Sequence, residues 1–185
     1  MLGTSLRNAV ALPGGKVYML DGLLQRAENA DEIAGVLAHE IAHVHHRDGL
    51  RRLIQTGGTS FLIGLLFGDV IGGGALIFAT QHLLDASYSR ETEQSADAFA
   101  IEVMNKLGRA PAPMGELLLR ITGAEGRKGK GGASLLSSHP LTEDRLATMK
   151  KLGRGNTGPE LLSADEWRAL KAVCGTKEPS DQPAK

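Results

Sequence analysis

Cysteine is almost missing from this chain of 185 residues: Cys174 stands alone, so no internal disulfide framework can form. Aromatic residues make up only 4%, and a core must therefore be built from Leu, Ile, Val and Ala. There is no charge excess of either sign, with 21 Lys+Arg against 21 Asp+Glu. That balance argues against a nucleic-acid partner, which normally meets a basic surplus. Met1 to Leu6 lack the basic region and apolar stretch of a secretory signal peptide. No internal repeat is visible. Gly72-Gly73-Gly74 is not followed by Lys-Ser/Thr, so the glycine run is no phosphate-binding loop.

What is present points to one folded unit. A chain of this length buries about 70% of the surface its unfolded form exposes, and 42% hydrophobic with 23% charged residues excludes wholesale disorder. Glycine is abundant, 24 of 185 residues, about twice the usual ~7%, but without the period of collagen. The expected fold is mainly α with a small β-hairpin, an α+β arrangement. Two short apolar runs around Pro13-Gly14-Gly15 predict the hairpin over residues 8–20. Asp21 is placed to cap a short helix to Ala27, and Asn29 with Glu32 resembles a capping box opening a long helix to about Gln55. Further helices are expected over 87–107, 116–122, from Thr142 to about Leu152, and from Ser163 to near Cys174. Gly123 to Gly132 reads as a basic loop, and 175–185 as a disordered tail.

Ser60 to Leu84 is apolar and glycine-rich with one charge, Asp69. A membrane span needs ~20 apolar residues and tolerates a central carboxylate at a cost of ~2.5–3.5 kcal/mol. The segment is compatible with two short apolar helices, a membrane-surface or re-entrant element, or a span. It is expected to act as a mobile gate or membrane-contact segment of a catalytic unit over 1–152, with 153–185 a linker, helix and tail.

The chemistry concentrates in His39-Glu40-Ile41-Ala42-His43, an H-E-x-x-H on a predicted helix. Four residues bring two imidazoles to one face a turn apart, as two corners of a zinc tetrahedron require, with the glutamate between them as general base. The composition predicts only about 0.01 such matches by chance. A wheel over residues 33–47 groups Ile33, Val36, Leu37, Ile41 and Val44 as the apolar stripe, with Glu40 inside it and His39 and His43 along its edge. His45 falls opposite and His46 a turn beyond His43; both read as solvated. A third ligand must come from elsewhere. In the helix after Tyr88-Ser89-Arg90, Glu93 lies within the stripe of Ala96, Phe99, Ala100, Val103, Met104 and Leu107, and Asp97 lies at its edge. Glu91 and Glu102 face solvent. This pattern suits Glu93 as a metal ligand and Asp97 as the carboxylate orienting a liganding imidazole, the ordinary alternative being a buried ion pair.

These motifs, in order Asn-Ala-Val-Ala-Leu-Pro-Gly-Gly, His-Glu-Ile-Ala-His-Val, Ser-Arg-x-x-Glu-x-x-Ala-Asp and Ser-His-Pro with Arg145, resemble the HtpX and CAAX-prenyl-protease group of zinc endopeptidases, metallopeptidase family forty-eight. The resemblance covers residues 8 to about 150. It implies a zincin-like fold of the gluzincin type, one catalytic zinc held by His39, His43 and Glu93, Glu40 as catalytic base, and Asp97 behind the ligands. It further implies polypeptide substrates aligned on an edge strand from residues 8–20, and a membrane or bacterial-envelope location. His139 and Arg145 would approach the metal from the C-terminal side. Either could donate to the tetrahedral oxyanion, or His139 could occupy the fourth metal position and keep the enzyme latent. Members often carry Arg-His after the second ligand; Arg47-Asp48 here is expected to alter the far end of the helix. A rival reading is a metal-stabilised binding or chaperone module at a membrane surface that has lost proteolysis. An intact Glu40 argues against it, because a structural metal has no use for a base.

Overall fold

The computed structural model describes residues 3, 5–12, 14–52, 54, 88–125, 139–140 and 142–174. The expectations for Ser60 to Leu84, for 126–132 of the basic loop and for the tail fall outside these residues. Strands β1 (Ala9–Leu12) and β2 (Lys16–Met19) pair antiparallel, Ala9 opposite Met19 and Leu12 opposite Lys16. Gly14 and Gly15 turn the chain at φ 91° and 85°, values that a side chain would resist. Helix α1 (Asp21–Arg26) follows at once. Its N-cap is Leu20, with no side-chain cap; Asp21 is already the first helical residue and favours the positive helix end by charge alone.

Helix α2 (Ala30–His46) is capped by Asn29, whose side chain accepts from the Glu32 amide. Glu32 accepts in turn from the Glu28 amide at 2.9 Å, one residue before the cap. The helix does not continue to Gln55. It stops at Arg47, whose backbone is left-handed at φ 58° and ψ 33°, the one non-glycine residue with positive φ among those described. Such a conformation costs a side-chain-bearing residue about 1–2 kcal/mol, so packing around the break must hold it. A new helical turn starts immediately, the Arg51 amide bonding to the Arg47 carbonyl at 3.0 Å.

Helix α3 (Arg90–Lys106) opens at Ser89, which accepts from Thr92, and α4 (Ala112–Glu125) starts earlier than expected. Pro113 is accommodated because the first turn of a helix needs no amide partner. Helix α5 (Glu143–Leu152) is capped by Thr142 and α6 (Ala164–Ala172) by a full Ser163/Glu166 capping box.

Helix α2 is the centre of the packing, in contact with the hairpin, α3 and α4. The core joins Leu23 and Leu24 of α1, Ile33 and Val36 of α2, Ile101 of α3, Met114, Leu117 and Ile121 of α4, and Met149 of α5. Each such side chain contributes about 1.5–3 kcal/mol on full burial. At Gly35 α4 packs close: a Cβ there would lie 2.7 Å from Met114 Cβ. The N-terminus of α2 is clamped by ion pairs, Arg109 to Asp31 and Arg120 to Glu32, each as short as 2.5 Å.

The buried arc of α2 differs from the wheel. Ile33 and Val36 are buried, but Leu37 and Ile41 are 40% and 42% exposed, because the arc that meets α3 and α4 runs through Gly35, Ala38, His39 and Ala42 instead. In α3, likewise, Ile101 is buried while Leu107 is 45% exposed. Glu40, Glu93 and Asp97 remain inside both arcs.

Candidate metal centre

Three parts of the chain deliver polar side chains to one buried point. Helix α2 brings His39, Glu40 and His43; α3, packed along it, brings Glu93 and Asp97; the segment entering α5 brings His139 and Arg145. All seven are buried. Glu91 and Glu102 face solvent, as does His45.

The atoms meet at ligand spacing. His39 Nε2 lies 3.1 Å from His43 Nε2 and 3.2 Å from His139 Nδ1. Glu93 Oε2 is 3.4 Å from His39 Nε2, and Glu93 Oε1 is 3.5 Å from His43 Nε2 and 2.9 Å from His139 Nδ1. A tetrahedral ion with ~2.0–2.1 Å bonds to nitrogen and oxygen has donor–donor edges of about 3.3 Å. His39, His43, Glu93 and His139 together thus form a potential four-donor metal group.

Behind the imidazoles stand carboxylates. His43 Nδ1 donates to Asp48 Oδ2 at 2.9 Å, and His39 Nδ1 lies 3.0 Å from Asp97 Oδ1, close but off the line of its N–H. A neutral ring that gives its Nδ1–H to a carboxylate keeps Nε2 as a bare acceptor. With His39 in the same tautomer, two Nε2 acceptors would face each other and the Glu93 oxygens, which only a cation or a proton between them can reconcile. The charge balance says the same. Glu40, Asp48, Glu93 and Asp97 are four buried carboxylates, and Arg145 is the buried guanidinium that answers them. Glu40 Oε1 and Glu93 Oε2 have no well-aligned donor, an expensive condition for buried charge. The donor set suits a metal cation.

Protonation follows the same field. Burial works to lower the pKa of His39, but hydrogen bonds and charge from Asp97 and Glu93 outweigh it and push the value up to about 9. Burial disfavours ionised Glu93, yet hydrogen bonds from His139, His39 and His43 hold it far below the usual carboxylate range. Asp97 is likewise lowered against burial, mainly by Arg145 and then by His39.

Arg145 is heavily engaged. Its Nε and Nη2 grip Asp97 at 2.6 and 2.7 Å, and its Nη1 donates to the Pro140 carbonyl at 2.6 Å and lies 2.8 Å from Glu93 Oε2. His139 Nε2 sits 3.3 Å from Glu40 Oε1, so one ring spans the ligand cluster and the glutamate of the motif. Two contacts had no role in the sequence reading. Tyr88 stacks on His43 at 4.1 Å and 11°, with the Arg52 guanidinium 5.0 Å from its ring. Helical periodicity gives Asp48 no role at the site, since five residues along a continuous helix would carry it away from His43.

An H-E-x-x-H helix joined by a glutamate from a later helix defines a metallopeptidase. The chain belongs to peptidase family M48, whose model matches residues 2–152. It is 32% identical over 145 residues to the mitochondrial metalloendopeptidase OMA1 of Schizosaccharomyces pombe, covering 78% of this chain and 43% of that protein. It is 26% identical over 178 residues to the beta-barrel assembly-enhancing protease of Escherichia coli strain K12, covering 89% and 36%. A protease HtpX homolog of Desulfatibacillum aliphaticivorans is 29% identical over 202 residues, covering 84% and 65%. The chain therefore spans less than two thirds of the length of each of these relatives. No helix among the described residues is long and apolar enough to cross a membrane.

Proposed function

We propose that this chain is a zinc-dependent endopeptidase in which His39, His43 and Glu93 hold the ion and Glu40 is the general base. The observation that carries the reading is the meeting of two Nε2 atoms and the Glu93 carboxylate at tetrahedral spacing, beside buried Glu40, whose Oε1 has no well-aligned donor. Zinc, when bound, supplies a Lewis acid that activates water near neutral pH and polarises the scissile carbonyl. Glu40 Oε1 takes the proton of the attacking water and returns it to the leaving amine. Asp97 and Arg145 hold His39 and Glu93 in place. Three of the five Arg145 N–H groups already have acceptors, and Nη1 also lies beside Glu93, which favours orientation over direct donation to the oxyanion. Among the described residues β1 and β2 pair only with each other, and an outer edge of this hairpin would align an extended polypeptide.

His139 is best read as a fourth donor that closes the site. Catalytic zinc sites keep one position for water or substrate; with zinc bound, His139, which lies within the donor group, would fill it, and the enzyme would work once the ring swung away. The family resemblance favours protein quality control at a membrane or envelope, with 60–84 as the contact segment.

The test is metal content and casein hydrolysis measured together on wild type and Glu40→Gln. Both should bind about one zinc, and only the wild type should cleave, since the substitution removes the proton acceptor and spares the ligands. Hydrolysis by Glu40→Gln at the wild-type rate would overturn the assignment.

A further inference from the structure

The break in α2 at Arg47 has a geometric result at the metal centre. On a continuous helix, residue 48 would lie about 140° around the axis from His43, and its carboxylate would point away. The left-handed turn at Arg47 redirects the chain within one residue. Its amide closes the helix on the His43 and Val44 carbonyls, and Asp48 folds back to meet His43 Nδ1 at 2.9 Å. Both side chains are buried, and this is a well-aligned bond to a ring whose other nitrogen faces His39 and Glu93. The stacked Tyr88 ring limits rotation of the imidazole from its face. A backbone conformation unfavourable for arginine is thus tied to the placing of one carboxylate, a combination that recurs at functional sites.

We propose that Asp48 is a positioning residue of the metal centre, acting through His43. It holds the imidazole as the Nδ1–H tautomer, aims Nε2 at the ion and increases its donor strength. The two histidine ligands are then backed by aspartates from different parts of the chain. Asp97 reaches His39 from α3, and Asp48 reaches His43 from the turn that ends α2. This inference rests on the reading of His43 as a metal ligand.

The experiment measures zinc dissociation constants by competition with a chromophoric chelator. It compares full-length wild type, Asp48→Ala and Asp48→Asn, each again in a His43→Ala background, and follows the thermal unfolding of every metal-free protein. Asp48→Ala should weaken zinc binding roughly 10–100-fold. Asp48→Asn, which keeps the shape and one acceptor oxygen, should lose less. In the His43→Ala background neither change should weaken the residual affinity further, because the route of action has gone. A merely structural aspartate predicts the same loss in both backgrounds, and that result overturns the proposal, as does wild-type affinity in Asp48→Ala. If Asp48→Ala fails to fold without metal, Asp48→Asn and its double variant decide by the same comparison. A wild-type chain that takes up no zinc would remove the metallopeptidase reading itself, and the proposal with it.

Discussion

With no metal bound, a proton on His39 is the cation that reconciles the cluster, and this makes the metal-free protein sensitive to alkali. His39 rises from 6.5 to about 9 on folding, burial opposing and Asp97 and Glu93 prevailing. A group whose folded pKa is raised contributes stability that is complete below its unfolded value and disappears as pH climbs through its folded value. The loss therefore falls between about pH 6.5 and 9. Two and a half pH units correspond to something on the order of 3 kcal/mol, undiluted by solvent because the ring is buried. For a chain of this size that lowers the unfolding midpoint by roughly 6–12 °C. The assay is thermal unfolding of chelator-treated protein across this range, beside His39→Gln, which lacks the titrating group but shares the others. The wild type should show the steeper decline. Zinc should flatten it, since the ion takes the place of the proton, and zinc affinity should rise with pH by up to about tenfold per unit until His39 is neutral. Equal pH slopes for metal-free wild type and His39→Gln would refute the account of the cluster.

Three substitutions test the roles of the other residues. Glu93→Ala should strip the metal while Glu91→Ala leaves it, as read by zinc content after dialysis; the reverse would contradict the helical phase of α3. His139→Ala should raise peptide hydrolysis if the ring occupies the fourth position, whereas a fall of about 10²–10³-fold with zinc retained would make it an oxyanion donor. Arg145→Met should cost about 3–5 kcal/mol in stability, because it leaves Asp97 and Glu93 buried without their cation. Unchanged stability with reduced turnover would restore the donor role.

Local chemistry made three helix starts legible. Asn29, Thr142 and Ser163 act as N-caps, because a short polar side chain beside free amides acts whatever surrounds it; Ser89 caps α3 two residues after the expected start at 87. The far end of α2 was not legible. Left-handed helix ends are normally signalled by glycine or asparagine, and Arg47 carries no such mark; tertiary packing imposes the turn. The same limit explains Leu37 and Ile41. A wheel counts apolar positions, but the neighbouring helices decide which arc is covered, and here they cover a small-residue arc through Gly35, Ala38 and Ala42. Glu40, Glu93 and Asp97 stood out for the opposite reason. A carboxylate within an apolar arc is costly unless something answers it, so the sequence advertises it. Asp48 advertised nothing, because its partner lies across a turn that periodicity does not contain.

If His139 closes the site, its anchoring gives a way for the site to open without being dismantled. Arg145 holds the neighbouring residue, bonding the Pro140 carbonyl at 2.6 Å, and the same guanidinium grips Asp97, which backs His39. The Pro140 carbonyl is thereby tied to the guanidinium that grips Asp97, while the imidazole itself is held by contacts to His39, Glu93 and Glu40. Those are the contacts that an entering substrate and its water would replace. Rotation of one side chain would free the position, leaving His39, His43 and Glu93 as three donors and Glu40 without its neighbour. Opening by movement of the whole segment would instead break the Arg145 bonds and leave Asp97 buried without its partner, which is the costlier route. The geometry therefore favours a ring that swings on a fixed backbone.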